Sequence, residues 1–184
     1  MKSIAAKLLL LGFLLGWLQC PCAAQTGPSE YQVKAAFLYN FAKFVRWPDE
    51  AFAQTNSPLV IGILGEDPFG SNLELAIKGK SINGHPLALR AVESPAEMKQ
   101  CHVLFVCQNP KRNLAQTLAT IQTNSILTVS ETEHFCEAGG MINLFMEGAK
   151  VRFEINDAAA TRARLAISSK LLNVARNNEK GGPR

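Results

Sequence analysis

The clearest hydrophobic pattern in the chain is GGMINLFMEGAKVRFEIN, residues 139–156. Read with a period of two, Ile142, Leu144 and Met146 point one way, and Met141 and Phe145 point the other, with Asn143 between them. A strand that is apolar on both faces belongs inside a sheet covered on both sides. Glu147-Gly148 turns the chain, and the return strand alternates Val151, Phe153 and Ile155 with Lys150, Arg152 and Glu154. One wet face with spaced charges is how an edge strand avoids stray pairing. The hairpin therefore predicts an inner strand and the charged margin beside it.

Upstream, SEYQVKAAFLYNFAKFVRWP reads as a helix. Ser29 and Gln32 make a capping box, Val33, Phe37, Phe41 and Phe44 recur at helical spacing, and Pro48 stops the run. Tyr31, Leu38 and Tyr39 make it apolar on more than one face, as befits a covered core helix. Its surplus surface, Tyr39 with Arg46 and Trp47, is the candidate for contact with another subunit or a partner. Short apolar strands are predicted at 59–64, 87–92, 102–107 and 126–129. Helix starts follow Asp67-Pro68 (with Ser71 and Glu74 as a second capping box), Ser94-Pro95 and Asn109-Pro110, and Ser130 with Glu133 opens a brief helix ended by Gly139. Leu114, Leu118 and Ile121 give the third of these helices its buried stripe, and Asn83-Gly84 marks a tight turn.

Asn156 caps a last helix expected to reach about Arg176, with Leu165, Ile167, Leu171, Leu172 and Val174 on one half and Arg164 inside that apolar arc. Strands alternating with helices predict an α/β fold. Its sheet is mostly parallel with an antiparallel edge hairpin, and right-handed crossovers place helices on both faces.

The first 24 residues change the picture of where the chain works. Lys2 and Lys7 precede an apolar run from Leu8 to Leu18, and Cys22-Ala23-Ala24 offers small residues for cleavage. That is the pattern of a secretory signal peptide, too short to span a bilayer. Gln19 and Pro21 precede Cys20 and Cys22 where a lipoprotein needs a small residue. Residues 25–176 then form one domain, and 177–184, NNEKGGPR, a flexible tail. Losing two lysines leaves 17 of the 19 basic residues against 15 acidic ones. So even a balance argues against nucleic acid or an anionic membrane as partner. Cys101, Cys107 and Cys136 remain, and an odd count in an exported chain allows at most one internal bridge. Cys101 and Cys107 cap opposite ends of one strand, ~20 Å apart. Cys107 and Cys136, at the same end of neighbouring strands, are the cheapest pair, and the alternative is three reduced, buried thiols.

No catalytic constellation is present: G-x-S-x-G, H-E-x-x-H and G-K-[ST] are all missing, and His85, His102 and His134 are scattered. His102, opening a buried strand, reads as a hydrogen-bonded structural histidine. Nothing points to a metal, a cofactor or an enzyme. GEDPFG is the small-ligand candidate. Open parallel sheets bind ligands beyond the carboxyl ends of strands where the strand order reverses. Glu66, Asp67, Phe69 and Gly70 would line such a site, with Lys111 and Arg112 on the neighbouring loop to meet an anion; the plain alternative is helix capping after a strand.

Seven blocks, in order, carry a resemblance: KAAFLYNFAKFVRWP (34–48), GEDPFGSNLE (65–74), CHVLFVC (101–107), ILTVSE (126–131), GGMINLF (139–145), VRFEIN (151–156) and ISSKLL (167–172). Together they resemble the YfiR family of exported proteins. The resemblance implies a three-layer α/β/α sandwich and a periplasmic regulator that represses a membrane-anchored diguanylate cyclase through its periplasmic sensor domain. It implies lowered cyclic di-GMP, restrained biofilm formation, an outer-membrane lipoprotein antagonist and a possible homodimer. It carries no catalytic residues. Family members with a known redox switch have more mature cysteines than the three here, so that switch is not carried over. Arg164 stands where the family has a small residue before Leu165. The competing expectation is a periplasmic small-ligand receptor feeding a sensor kinase through the GEDPFG edge.

Overall fold

A computed structural model describes residues 27–109, 111 and 113–179. The expected signal peptide, Arg112 and residues 180–184 of the expected tail lie outside the described residues. The elements are α1 (Glu30–Phe44), β1 (Val45–Arg46), β2 (Leu59–Leu64), α2 (Ser71–Ile77), β3 (Ser81–Ile82), β4 (His85–Val92), α3 (Pro95–Met98) and β5 (Val103–Val106). They continue with α4 (Leu114–Ala119), β6 (Leu127–Ser130), β7 (Ile142–Glu147), β8 (Lys150–Ile155), α5 (Asp157–Arg162), β9 (Ala166–Ile167) and α6 (Ser169–Glu179).

Seven strands form one sheet in the order β3-β4-β2-β5-β6-β7-β8. The five inner strands are parallel, while β3 and β8 run antiparallel at the two margins. The expected edge hairpin is therefore present, and a second antiparallel margin is added by the Asn83-Gly84 turn, where both residues take positive φ. Period-two alternation sorts β2 between two cores. Ile61 and Ile63 face Leu38, Phe41, Leu73 and Leu171 from α1, α2 and α6. Val60 and Leu64 face Met98, Leu118, Ile121 and Phe135 on the other side. The result is a three-layer α/β/α sandwich.

Local chemistry explains most element starts. Ser29 and Gln32 exchange the two bonds of a capping box at 2.8 and 3.3 Å, and Ser94 does the same with Glu97. Asn113 accepts from the Gln116 amide at 3.0 Å to open α4. Three expected starts fail, the first being Asn109-Pro110, because Asn113 is the N-cap of α4 instead. Ser71 caps nothing, because Gly70 at φ +53° is the N-cap of α2 and Asp67 instead accepts from the Phe69 amide at 2.8 Å. Ser130 opens no helix, because its hydroxyl donates to Val106 O at 2.6 Å and closes the end of β6. Residues 133–139 form turns that bury Phe135 against Gly140, where an added Cβ would sit 2.2 Å from the ring.

The last helix is two helices. Arg164 takes φ +58°, its amide donates to Thr161 O at 2.9 Å, and the Leu165 amide donates to Ala160 O at 2.9 Å. That is a Schellman cap with arginine in the left-handed position glycine usually holds. The freed chain pairs β9 with β1, Val45 opposite Ile167, before Ser168 starts α6 with its hydroxyl accepting from the Leu171 amide at 3.4 Å. Helix α6 then extends to Glu179, three residues into the expected tail. On α1 the buried stripe is also rotated from the expected one. Lys34, Ala35, Leu38, Phe41 and Ala42 are buried, and Val33, Phe37 and Phe44 flank them.

Candidate functional site

The chain runs from β2 to β4 on one side and returns to β5 on the other, so the strand order reverses between β2 and β5. The loops leaving these two strands are the two that the sequence singled out. Glu66, Asp67 and Gly70 are exposed there, and Lys111 is exposed with its amide donating to Asn109 Oδ1 at 2.9 Å. Phe69 is not a lining residue of an open crevice. It is 1% exposed, edge-on to Phe105 at 4.8 Å and to Tyr31 at 5.7 Å. The turn set by Asp67 points this ring inward, and the space at the reversal is filled by protein.

Beside that plug lies a polar network that the sequence reading missed. Lys34 of α1 is 3% exposed and ion-paired to both Glu30, one turn earlier, and Glu131, just past β6. The Tyr31 hydroxyl donates to Glu131 Oε1 at 3.1 Å, and the Lys34 ammonium lies 4.8 Å from the Tyr31 ring centre. Burial pulls the Lys34 pKa down, but the Glu131 and Glu30 carboxylates more than offset it and hold it above its ordinary value. Burial and then Glu131 push the Tyr31 phenol upward. One signal was available: at positions 31, 34, 35 and 38 a lysine sits within the apolar stripe of a helix. A buried cation needs a partner, and Glu131 is the carboxylate the fold supplies.

The opposite, amino edge is organised around His102. Its Nδ1 accepts from the Val60 amide at 3.1 Å, so Nε2 carries the proton and donates to Ala51 O at 3.1 Å. Phe52 stacks between His85 (3.7 Å) and His102 (4.5 Å). Trp47 is buried in the same region, its indole N–H donating to His102 O at 3.3 Å. Of the three residues of the expected partner surface at the end of α1, two are largely covered. Trp47 is core, Tyr39 is half-buried under the Lys80 ammonium at 4.3 Å, and Arg46 is exposed.

Exposed apolar surface occurs instead where the pattern predicted coverage. Phe145 and Met146, at the outer end of β7, are 37% and 42% exposed. The hairpin tip runs past its covering helices, so residues patterned for an inner strand meet solvent. Met146 and Val151 form, with Val33 and Phe37 of α1, a mainly apolar groove of about 400 Å³ rimmed by Glu30 and Arg152.

The three cysteines among the described residues, Cys101, Cys107 and Cys136, are free thiols. Cys107 lies beyond the carboxyl end of β5, whereas Cys136 Sγ sits by Met141 O at 3.8 Å and Glu154 O at 4.0 Å, against β7 and β8. At ~4.8 Å per strand, β7 lies about 10 Å from β5, so the Cys107–Cys136 bridge is not formed. Burial pushes the Cys101 thiol up to about 11 and the Cys136 thiol up to about 12. Both are unreactive at neutral pH. Among the described residues no cluster of three metal-ligating side chains occurs, and no helix is long and apolar enough to cross a membrane.

The fold and its filled switch point define a class: an α/β sandwich that presents surfaces rather than an open crevice at the strand-order reversal. The YfiR/HmsC-like family model matches residues 31–176, and the chain belongs to that family. Among solved structures it is similar to the crystal structure of a conserved domain protein from Vibrio cholerae, with a TM-score of 0.54 and 11% identity. The match covers 80% of this chain and 59% of that one, so the chain spans well under two thirds of its length. At that identity the likeness is one of fold.

Proposed function

We propose that this chain is a periplasmic regulatory binding protein that restrains a membrane-anchored diguanylate cyclase by docking on its periplasmic sensor domain. Membership of the YfiR/HmsC-like family supports the class. The observation that carries the docking reading is the groove between α1 and the hairpin tip, where Met146 stands in solvent. Large exposed apolar side chains beside a concave apolar surface mark protein contact. Rim charges Glu30 and Arg152 set orientation more than strength.

The mechanism is a population shift. The regulator binds the inactive arrangement of the sensor better than the active one, and the cyclase equilibrium moves by that difference in affinity. Cyclic di-GMP falls and biofilm formation is restrained; an outer-membrane lipoprotein that competes for the regulator relieves the repression. The alternative, a receptor using the GEDPFG edge, needs space that Phe69 occupies.

The test is a deletion strain complemented with wild type, Met146→Glu or Ala149→Glu, both in the groove, with cyclic di-GMP measured in each. Deletion raises cyclic di-GMP and wild type restores it. The two variants, folded by circular dichroism, fail to restore it. Unchanged cyclic di-GMP on deletion rejects regulation; full rescue by both variants rejects this surface.

A further inference from the structure

A half-open cleft of about 410 Å³ cuts into the amino edge of the sheet, where β2, β5 and β6 begin. Val60, Ile126 and Ala51 are among its apolar lining residues. Lys99 and Arg164 line it, both exposed, and neither makes an ion pair with the other described residues. Glu50 is the one acidic side chain in the lining. Ser125 is also among the lining residues, its hydroxyl oxygen buried beneath the surface and without a hydrogen-bond partner among the described residues. His102 is there too, but both of its ring nitrogens are already committed to Val60 and Ala51.

Arg164 reaches this position at a cost. It fills the left-handed slot of the α5 cap, where any L side chain is strained and glycine is not. Strain at a residue that lines a cleft is a reason to look for what the side chain does there. Two exposed cations without ion-pair partners among the described residues, beside Val60 and Ile126 in a lining otherwise mostly polar, suit a small molecule with carboxylates at its ends and a short carbon body. The cleft volume lies within the range of small-ligand sites.

We propose that this amino-edge cleft binds a small organic dicarboxylate, with Arg164 and Lys99 holding the carboxylates. The site stands apart from the hairpin groove and does not depend on the regulatory reading. Succinate is the probe, followed by isothermal titration and thermal melting of the wild-type chain, Arg164→Gly and Lys99→Gln. At ~10 mM succinate raises the melting temperature of wild type. Arg164→Gly relieves the cap, so without ligand it melts ~2 °C above wild type, yet it binds succinate at least ~10-fold more weakly. Lys99→Gln, an exposed change, weakens binding several-fold with an unchanged melt. No melting shift with succinate, an equal shift with inorganic phosphate, or wild-type affinity in Arg164→Gly each overturns the proposal.

Discussion

The two ends of the sheet are built on opposite plans. At the carboxyl end, where open α/β sheets receive ligands, Phe69 closes the reversal between β2 and β5, and Lys34 is held between Glu30 and Glu131. At the amino end a cleft stays open, with cations on its wall and a buried hydroxyl that have no partner among the described residues. The strand order alone marks the first end as the site, because helix N-termini and loops converge there. Side-chain filling decides otherwise. A ring directed inward by one aspartate turn turns a topological binding position into core.

Breaking the plug gives the largest effect. Phe69→Ala removes a ring that touches Tyr31 and Phe105 and leaves a void that this rigid edge cannot collapse around. A loss of about 3–5 kcal/mol is expected, read as a lower urea midpoint at unchanged slope. A loss under ~1 kcal/mol would mean that the loop is a mobile cover rather than core. Next in size is Glu131→Gln, which leaves the buried Lys34 with Glu30 alone; about 2 kcal/mol is expected, less than for a fully orphaned charge because one carboxylate stays. The paired change Lys34→Met with Glu131→Leu should recover most of it, and failure to recover would point to a role beyond charge balance.

The two edges should also come apart at opposite ends of the pH scale. Lys34 has its folded pKa raised above 10.5, so its contribution is full below 10.5 and is lost as pH climbs through the folded value. His102 is the reverse case. Burial holds its pKa below 6.5, with the nearby His85 acting the same way and the bond to Ala51 opposing them. Its contribution is full above 6.5 and is lost as pH falls through the folded value. Hydrogen exchange should therefore show β2 and β5 amides at the amino edge loosening first in acid. In alkali the first turn of α1 should loosen first. Simultaneous loosening of both edges in acid would break the contrast.

How much of this was legible follows from what each signal depends on. The alternating elements, the edge hairpin and the caps at Ser29 and Ser94 rest on spacing and short-range hydrogen bonds, which the sequence carries directly. The break at Arg164 was not legible, since TRARLAI holds no glycine or proline and the strained cap is stabilised by a distant partner, the β1–β9 pairing. Phe145 and Met146 read as core because periodicity reports which way a side chain points, not how far the covering helix extends. Lys34 was visible as a charge in an apolar stripe; its partner Glu131, 97 residues away in sequence, was not.

The smallest expected effect is the sharpest on the contrast. At the carboxyl edge the Lys34 ammonium, the Tyr31 hydroxyl and both Glu131 oxygens have named partners, so deleting a carboxylate strands a charge. At the amino edge the Ser125 oxygen is buried with nothing to bond among the described residues. Folding strips that hydroxyl of water and returns no hydrogen bond, which is a cost rather than a gain. Ser125→Ala removes the cost together with the atom. The free protein should then be unchanged or more stable by up to about 1 kcal/mol, opposite in sign to Glu131→Gln. A comparable loss in Ser125→Ala, measured in the same urea titration, would mean that the hydroxyl is satisfied in solution and that the amino edge is as closed as the other.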